Sequence, residues 1–395
     1  MPNTVNNGLA RELSDFIHFY LTVYACNIVY SLSNILVFCD DYKHDQMLDI
    51  ELFRKITQAP GAPGFEHRIR KLIQEELAPF VDTMEVDDLG NLVAIKKGKS
   101  DKKVMVAAHM DEISFIITHI DDDGFIKFHT LGGFDAKTLT AQRVIIHGEK
   151  DIIGVMGTKP IHVLTPEERA KPIRVQDFFI DTGLKAEEVK KHLSVGNPIT
   201  RERTFIEMGD MVNSKSIDNR VSVFLLIEAL KELKDIDVPY DVYAVFTTQE
   251  EVGIRGAIAA TLGINPDFGI NLDVTLAYDL PGAGPHEKVT ELGKGTAIKV
   301  LDGMTICDYR MVSYLKKLAT ENKIDFQLEA LTAGGTDTAG MQRYSRGGCI
   351  AGGISIPTRY LHQVIEMAHK KDIRDSIDLL KLSLVNLDGF NWDHK

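Results

Sequence analysis

Cysteine is scarce in this chain and spaced without pattern: Cys26, Cys39, Cys307 and Cys349 stand far apart, with no CxxC pair. That argues against a disulfide framework and a thiolate zinc site, and it suits a reducing compartment, the cytoplasm. Basic stretches are missing too. The formal net charge is -12 and no run of Lys and Arg rises above it, which argues against a nucleic-acid binder. Acidity of this kind serves solubility and says little about a substrate. There is no internal repeat, heptad or low-complexity segment, so repeat arrays and coiled coils drop out. What remains is a globular composition, 44% hydrophobic and 26% charged, in 395 residues that suffice for one large domain or two ordinary ones.

The first 46 residues stand apart. The stretch 16–38, FIHFYLTVYACNIVYSLSNILVF, is apolar enough to raise a membrane segment or a signal peptide. Only Arg11 precedes it as a positive charge, two Asn and one His interrupt it, and no small-residue cleavage site follows. Residues 1–46 are therefore expected to be an extension of doubtful structure, with membrane contact only if 16–38 is a real segment. A second start-like sequence opens at Met47.

From there the pattern is α/β. Two amphipathic helices, within 50–80, flank the turn-rich QAPGAPGFE, and short strands follow up to the buried run VMVAA at 104–108. A continuous apolar run bounded by turns fits a strand covered on both faces. Between about 115 and 206 the texture becomes short β-like stretches separated by Gly and Asp turns. After it come a helix over 219–233, strand 240–248, a helix near 254–262, strand 268–274, a helix near 308–322, strand DFQLEAL, the loop TAGGTDTAG at 332–340 and strand CIAGGISI. The expected fold is a mixed, mostly parallel sheet flanked by helices, carrying an inserted small β-rich domain. Its catalytic part is discontinuous (47–114 and 207–395), and the insertion covers 115–206.

Polar residues fall where chemistry would need them. VMVAA runs into His109, VYAVFTT into Gln249-Glu250-Glu251, and FGINL into Asp273. Open parallel sheets bind ligands at the carboxyl ends of their strands. Asp111, two residues after His109 in extended chain, points the same way and can orient its ring; a core histidine with a capping aspartate reads as well. Asp218, just before an apolar-periodic helix, is locally better explained as an N-cap, although a two-metal site needs a carboxylate shared by both ions. Glu250 and Glu251 share a turn in which neighbouring side chains diverge, so one can bind metal and the other act as base. That divergence argues against a glycosidase pair, whose carboxylates flank one bond at about 5–9.5 Å. Asp273 ends an apolar strand, where a carboxylate costs stability unless it is paired, capping or metal-bound. His362 follows CIAGGISI and the turn residue Pro357. Singly, each has an ordinary structural explanation. Together they offer mixed N/O coordination suited to Zn²⁺, Co²⁺ or Mn²⁺.

AHMDE at 108–112, SKSIDNR at 214–220, QEEVG at 249–253, LDVT at 272–275, AGGTD at 333–337 and PTRYLH at 357–362 resemble metallopeptidase family 42. That family holds the glutamyl, leucyl, deblocking and tetrahedral aminopeptidases, and APGAPGFE at 59–66 is similar to its N-terminal signature. The resemblance covers about 47–395 in the right order. It implies that His109, Asp218 and Asp273 bind one divalent ion, and that Asp218, Glu251 and His362 bind a second. Glu250 is then the general base acting on a water between the ions, and Asp111 the partner of His109. It further implies peptide substrates cut at their N-terminus, an assembly role for the insertion, and a homo-oligomer that can reach a tetrahedral dodecamer. Ser114 and Gln363 depart from the family's usual residues, which puts substrate preference in doubt. Rival readings are another two-metal hydrolase on the same scaffold, such as a deacylase or dipeptidase, and a non-catalytic binding protein.

Overall fold

A computed structural model describes residues 47–394. The apolar stretch 16–38 and the readings attached to it lie outside those residues. No helix among the described residues is long and apolar enough to cross a membrane.

The strands divide into two sheets. The first comprises β1 (Thr83–Val86), β2 (Leu92–Lys96) and β3 (Ser100–His109). The chain then builds β4 (Ser114–Ile120), β5 (Ile126–Leu131), β6 (Arg143–His147), β7 (Asp151–Thr158), β8 (Phe178–Asp181) and β9 (Pro198–Arg201) before returning. Back in the first sheet come β10 (Ile206–Met208), β11 (Met211–Ser214), β12 (Tyr240–Thr247), β13 (Phe268–Leu276), β14 (Thr296–Leu301), β15 (Phe326–Ala330), β16 (Ile350–Arg359) and β17 (Glu366–His369). The order of the large sheet is β1-β2-β12-β3-β13-β16-β17-β11-β10, with β14 and β15 branching from β16. Its centre, β12-β3-β13-β16, is parallel throughout. The six strands β4 to β9 close into a separate antiparallel barrel in the order β4-β5-β8-β7-β6-β9.

Both faces of the large sheet are covered, which is why its central strands read as unbroken apolar runs: Val104 to Ala108 are all fully buried. Met105 and Ala107 pack with Val245, Ala260 and Met341, under helices Arg255–Ile264 and Asp337–Tyr344. Helix Ile217–Glu232 lies against β3 and β13 and is flanked by helices Ile50–Gln58, His67–Leu77 and Lys370–Val385. It is buried almost all round, from Ile217 to Leu230 with Glu228 the exception, so it carries no amphipathic stripe. The barrel follows the other rule. β7 alternates exposed and buried residues along Asp151–Met156, and its inward side chains join a core of its own around Phe115, Phe128, Val144, Ile146 and Phe178.

Two local expectations fail. The segment 332–340 is not loop throughout, because a helix begins at Asp337; its Gly-rich start hides the onset. Pro357 is not a turn residue. It lies inside β16, between the part that pairs with β14 (through Ser355) and the part that pairs with β17 (from Thr358). A missing N–H is tolerated where an edge lacks a partner strand.

Candidate metal centre

His109 is the last residue of β3 and stands level with Thr247, the last of β12. β13 pairs with β3 only as far as Asn271 and then continues along β16. The strands part at this point and leave a cleft into which His109 and Asp273 project. The cleft, of about 130 Å³, is also lined by Asp218, Glu250, Glu251 and His362, together with Lys299, Asp302 and Thr336.

Asp218 does not cap its helix. Its own backbone and that of Asn219 are non-helical inside Ile217–Glu232, which turns the carboxylate into the cleft. Oδ1 lies 3.2 Å from His109 Nε2 and Oδ2 lies 3.3 Å from His362 Nε2. Asp273 Oδ1 is 3.8 Å from His109 Nε2, and Glu251 Oε2 is 3.6 Å from His362 Nε2. Donor atoms of His109, Asp218 and Asp273 thus converge within 4.8 Å of one another, and those of Asp218, Glu251 and His362 form a second such group. Glu250 Oε2 stands 4.0 Å from His109 Nε2 and lines the cleft beside these groups.

The carboxylate turn is held from below. Asp111, fully buried, accepts the backbone N–H of Glu250 on Oδ1 (3.0 Å) and that of Glu251 on Oδ2 (3.1 Å). The Nδ1 of His109 faces the Asp111 carbonyl oxygen at 3.2 Å and its Oδ1 at 3.4 Å. Glu66, from the APGAPGFE segment, accepts the N–H of Gln249 at 3.1 Å, and Gln249 has φ 55°. The turn is thereby fixed in a backbone shape that non-glycine residues seldom adopt.

Electrostatically the cleft gathers more acids than its Lys299 and two histidines balance. Burial, added to by Asp218, pushes Glu251 up to about 8. Burial raises Asp273 to about 7 and Asp337 to about 6, and it raises Glu250 well above the usual range. Asp218 goes the other way. Burial opposes its charge, but the hydrogen bonds from His109 and His362 hold its carboxyl well below the ordinary value. His362 rises to about 10 against burial because Glu251 and Asp218 face it. Buried acids this close together are neutralised either by protons or by cations between them.

Every residue singled out in the sequence lies in this neighbourhood, Asp111 beneath the cleft and the others lining it. Ser114 is buried with its hydroxyl unpartnered among the described residues, and Gln363 is exposed. Sequence reasoning missed Asp337, which accepts the Thr247 hydroxyl at 2.5 Å, although the AGGTD motif contained it. It also missed Glu366, which accepts the backbone N–H of Asp218 at 2.9 Å; nothing in EMAH signals that role. Lys299, buried and paired with Glu329, was invisible because it sits mid-strand among apolar residues.

A family model for the M42 glutamyl aminopeptidases matches residues 90–379. Over 84% of this chain and 96% of its own length, a putative aminopeptidase of Acetivibrio thermocellus is 41% identical. The TET aminopeptidase of a marine-sediment archaeon, Thaumarchaeota archaeon SCGC AB-539-E09, superposes with a TM-score of 0.84 at 34% identity, covering 87% of this chain and 98% of that one. The TET1 peptidase of Pyrococcus horikoshii, described as assembling into a tetrahedron or a large octahedral shell, gives 0.77 at 31% identity over 85% and 98%. The chain therefore belongs to the M42 glutamyl aminopeptidase family and is a peptide hydrolase of the aminopeptidase kind.

Proposed function

We propose that the cleft is a dinuclear metal centre that removes N-terminal residues from peptides. The observation that carries this is the Asp218 carboxylate, whose two oxygens face two different histidines at nearly equal distance. A lone structural aspartate has no reason to be shared so evenly; a carboxylate bridging two ions does. The donor set fits Zn²⁺ or Co²⁺, with Mn²⁺ also compatible, because each group offers one imidazole and two carboxylates. Among the described residues, Glu251 Oε1 is buried without a hydrogen-bond partner, as expected of a ligand atom.

His109 and Asp273 would hold one ion, Glu251 and His362 the other, and Asp218 both. Bound there, such ions polarise a carbonyl and bring the pKa of water toward neutrality. Glu250 takes the proton from the attacking water at a carboxylate oxygen and passes it to the leaving amine. Asp111 keeps that carboxylate aimed by holding the backbone of the turn.

The barrel, as the domain spanning about 115–206, serves assembly. Ile153, Val155, Ile161 and Val163 stand exposed on or beside β7 and give a homo-oligomer an apolar surface. The setting is cytoplasmic. The test is hydrolysis of aminoacyl-p-nitroanilides by metal-stripped protein before and after Zn²⁺, Co²⁺ or Mn²⁺. Cleavage of free-amine substrates only, restored by metal and lost in Glu250→Gln, is the expected result. Equal cleavage of N-acetylated substrates would replace this reading with a deacylase or endo-acting hydrolase.

A further inference from the structure

The two ligand groups are built from different parts of the molecule. His109 and Asp273 sit on adjacent central strands, which the sheet registers against each other. His362 sits on the connection between β16 and β17, where Tyr360 and His362 itself both have positive φ (63° and 56°). Such a backbone persists only when its surroundings hold it.

What holds it comes from the barrel. His362 Nδ1 is 3.1 Å from the carbonyl oxygen of Gly133, in the turn that follows β5. A carbonyl there accepts a proton on Nδ1 and leaves Nε2 free as a ligand atom. The neighbouring Gly132 has φ +93°, and a Cβ on it would stand 3.3 Å from Glu251 Oε2. A Cβ on Gly133 would stand 3.3 Å from His362 Nδ1. Arg201, the last residue of β9, is fully buried and donates from Nη1 to the carbonyl of Gln363, next to His362. Among the described residues its Nε and Nη2 have no hydrogen-bond partner, and its charge acts on buried Glu366, whose Oε2 accepts the Asp218 N–H. Burying an arginine is costly, and the hydrogen bond Arg201 makes there fixes the chain beside His362.

We infer that Gly133 and Arg201 of the barrel are positioning residues for the Glu251–His362 ion, so that this ion depends on the barrel while the His109–Asp273 ion does not. The inference rests on the dinuclear reading above. Neither residue touches the reacting atoms; each acts through His362 or the chain beside it.

The test is Co²⁺ titration of the full-length, metal-stripped protein, followed by visible absorption and by calorimetry, with Gly133→Ala, Arg201→Met and Arg201→Lys. Wild type should take up two ions. Both Gly133→Ala and Arg201→Met should bind one ion as wild type does and the other about 10–100-fold more weakly, the usual cost of disturbing a ligand's outer partner. Arg201→Lys, which keeps the charge, should recover part of the loss. Circular dichroism checks that each variant folds. If Arg201→Met does not, Gly133→Ala decides alone, since it adds one methyl group without removing a buried charge. Two ions bound unchanged in Gly133→Ala, or both weakened alike, overturns the inference and leaves the dinuclear centre standing. Fewer than two ions in wild type overturns the centre itself, and the inference with it.

Discussion

The large sheet and the barrel hide apolar residues in opposite ways. β3 and β13 are buried on both faces, and their ends place charged ligands at defined heights in a parallel register. In the barrel, β7 buries one face only, and the segment after β5 reaches out to His362. Depth and register make the sheet a rigid base for chemistry. Closure makes the barrel a compact body that can press on the site from the side and still present Ile153 and Val155 outward. The proposed catalytic parts are thus concentrated at one set of strand ends, and the proposed contribution of the second body is placement.

Mutations can break that comparison, beginning with the largest expected effect. Glu250→Gln removes the proposed base and leaves every ligand; kcat should fall by about 10²–10⁴ with two ions still bound, read by steady-state kinetics beside metal analysis. Retained activity would remove Glu250 from the chemistry. Next come the two cores. Phe224→Ala, in the all-round buried helix and stacked on Phe53 at 4.8 Å, should cost about 3–5 kcal/mol in urea unfolding. Phe115→Ala, packed between Phe128 and Phe134 at 5.1 and 4.5 Å, should cost about as much. Their hydrogen-exchange patterns should differ, however, with protection lost first in β4 to β9 for Phe115→Ala and first in the large sheet for Phe224→Ala. Identical patterns would mean that the two bodies unfold as one.

Smaller effects sharpen the contrast. Ile153→Asp with Val155→Asp places charge on the barrel's outer face without touching its core. The oligomer should dissociate in light scattering while the melting temperature of the subunit changes little; an unchanged mass would move the interface elsewhere. The smallest effect concerns the seam between helix His67–Leu77 and the barrel. Arg68 holds Asp151 with two hydrogen bonds, 2.7 and 2.9 Å, and thereby lowers the Asp151 carboxyl to about 2. Because the folded value is depressed, the contribution is complete above the unfolded pKa of about 3.9 and is lost as pH falls toward 2. The pair is half exposed, so no more than about 1 kcal/mol is expected, less at high salt. Asp151→Asn should flatten that part of the stability-against-pH curve.

Much of this was legible in the residues. The unbroken run before His109 announced a strand buried on both faces, and QEE after VYAVFTT announced a strand ending in acids. Each single residue stayed ambiguous, because a capping aspartate and a bridging one have the same local sequence. Asp218 shows the limit: its N-cap reading was the better local one, and only the irregular backbone at 218–219 sends its carboxylate to two histidines. Pro357 and the helix at Asp337 were misread because edge vacancy and helix onset depend on neighbours that the sequence does not place beside them.

Alternation and unbroken apolar runs by themselves pointed to a mixed, mostly parallel α/β sheet with a β-rich insertion, since these follow from local periodicity, whereas the roles of the candidate acids and imidazoles came from motifs that resemble metallopeptidase family 42. Tertiary structure alone decided which oxygen faces which histidine, that the insertion closes into a barrel, and that Gly133 meets His362 while Arg201 bonds Gln363 beside it. Those facts join residues far apart in the chain, where no local pattern constrains the distance between them.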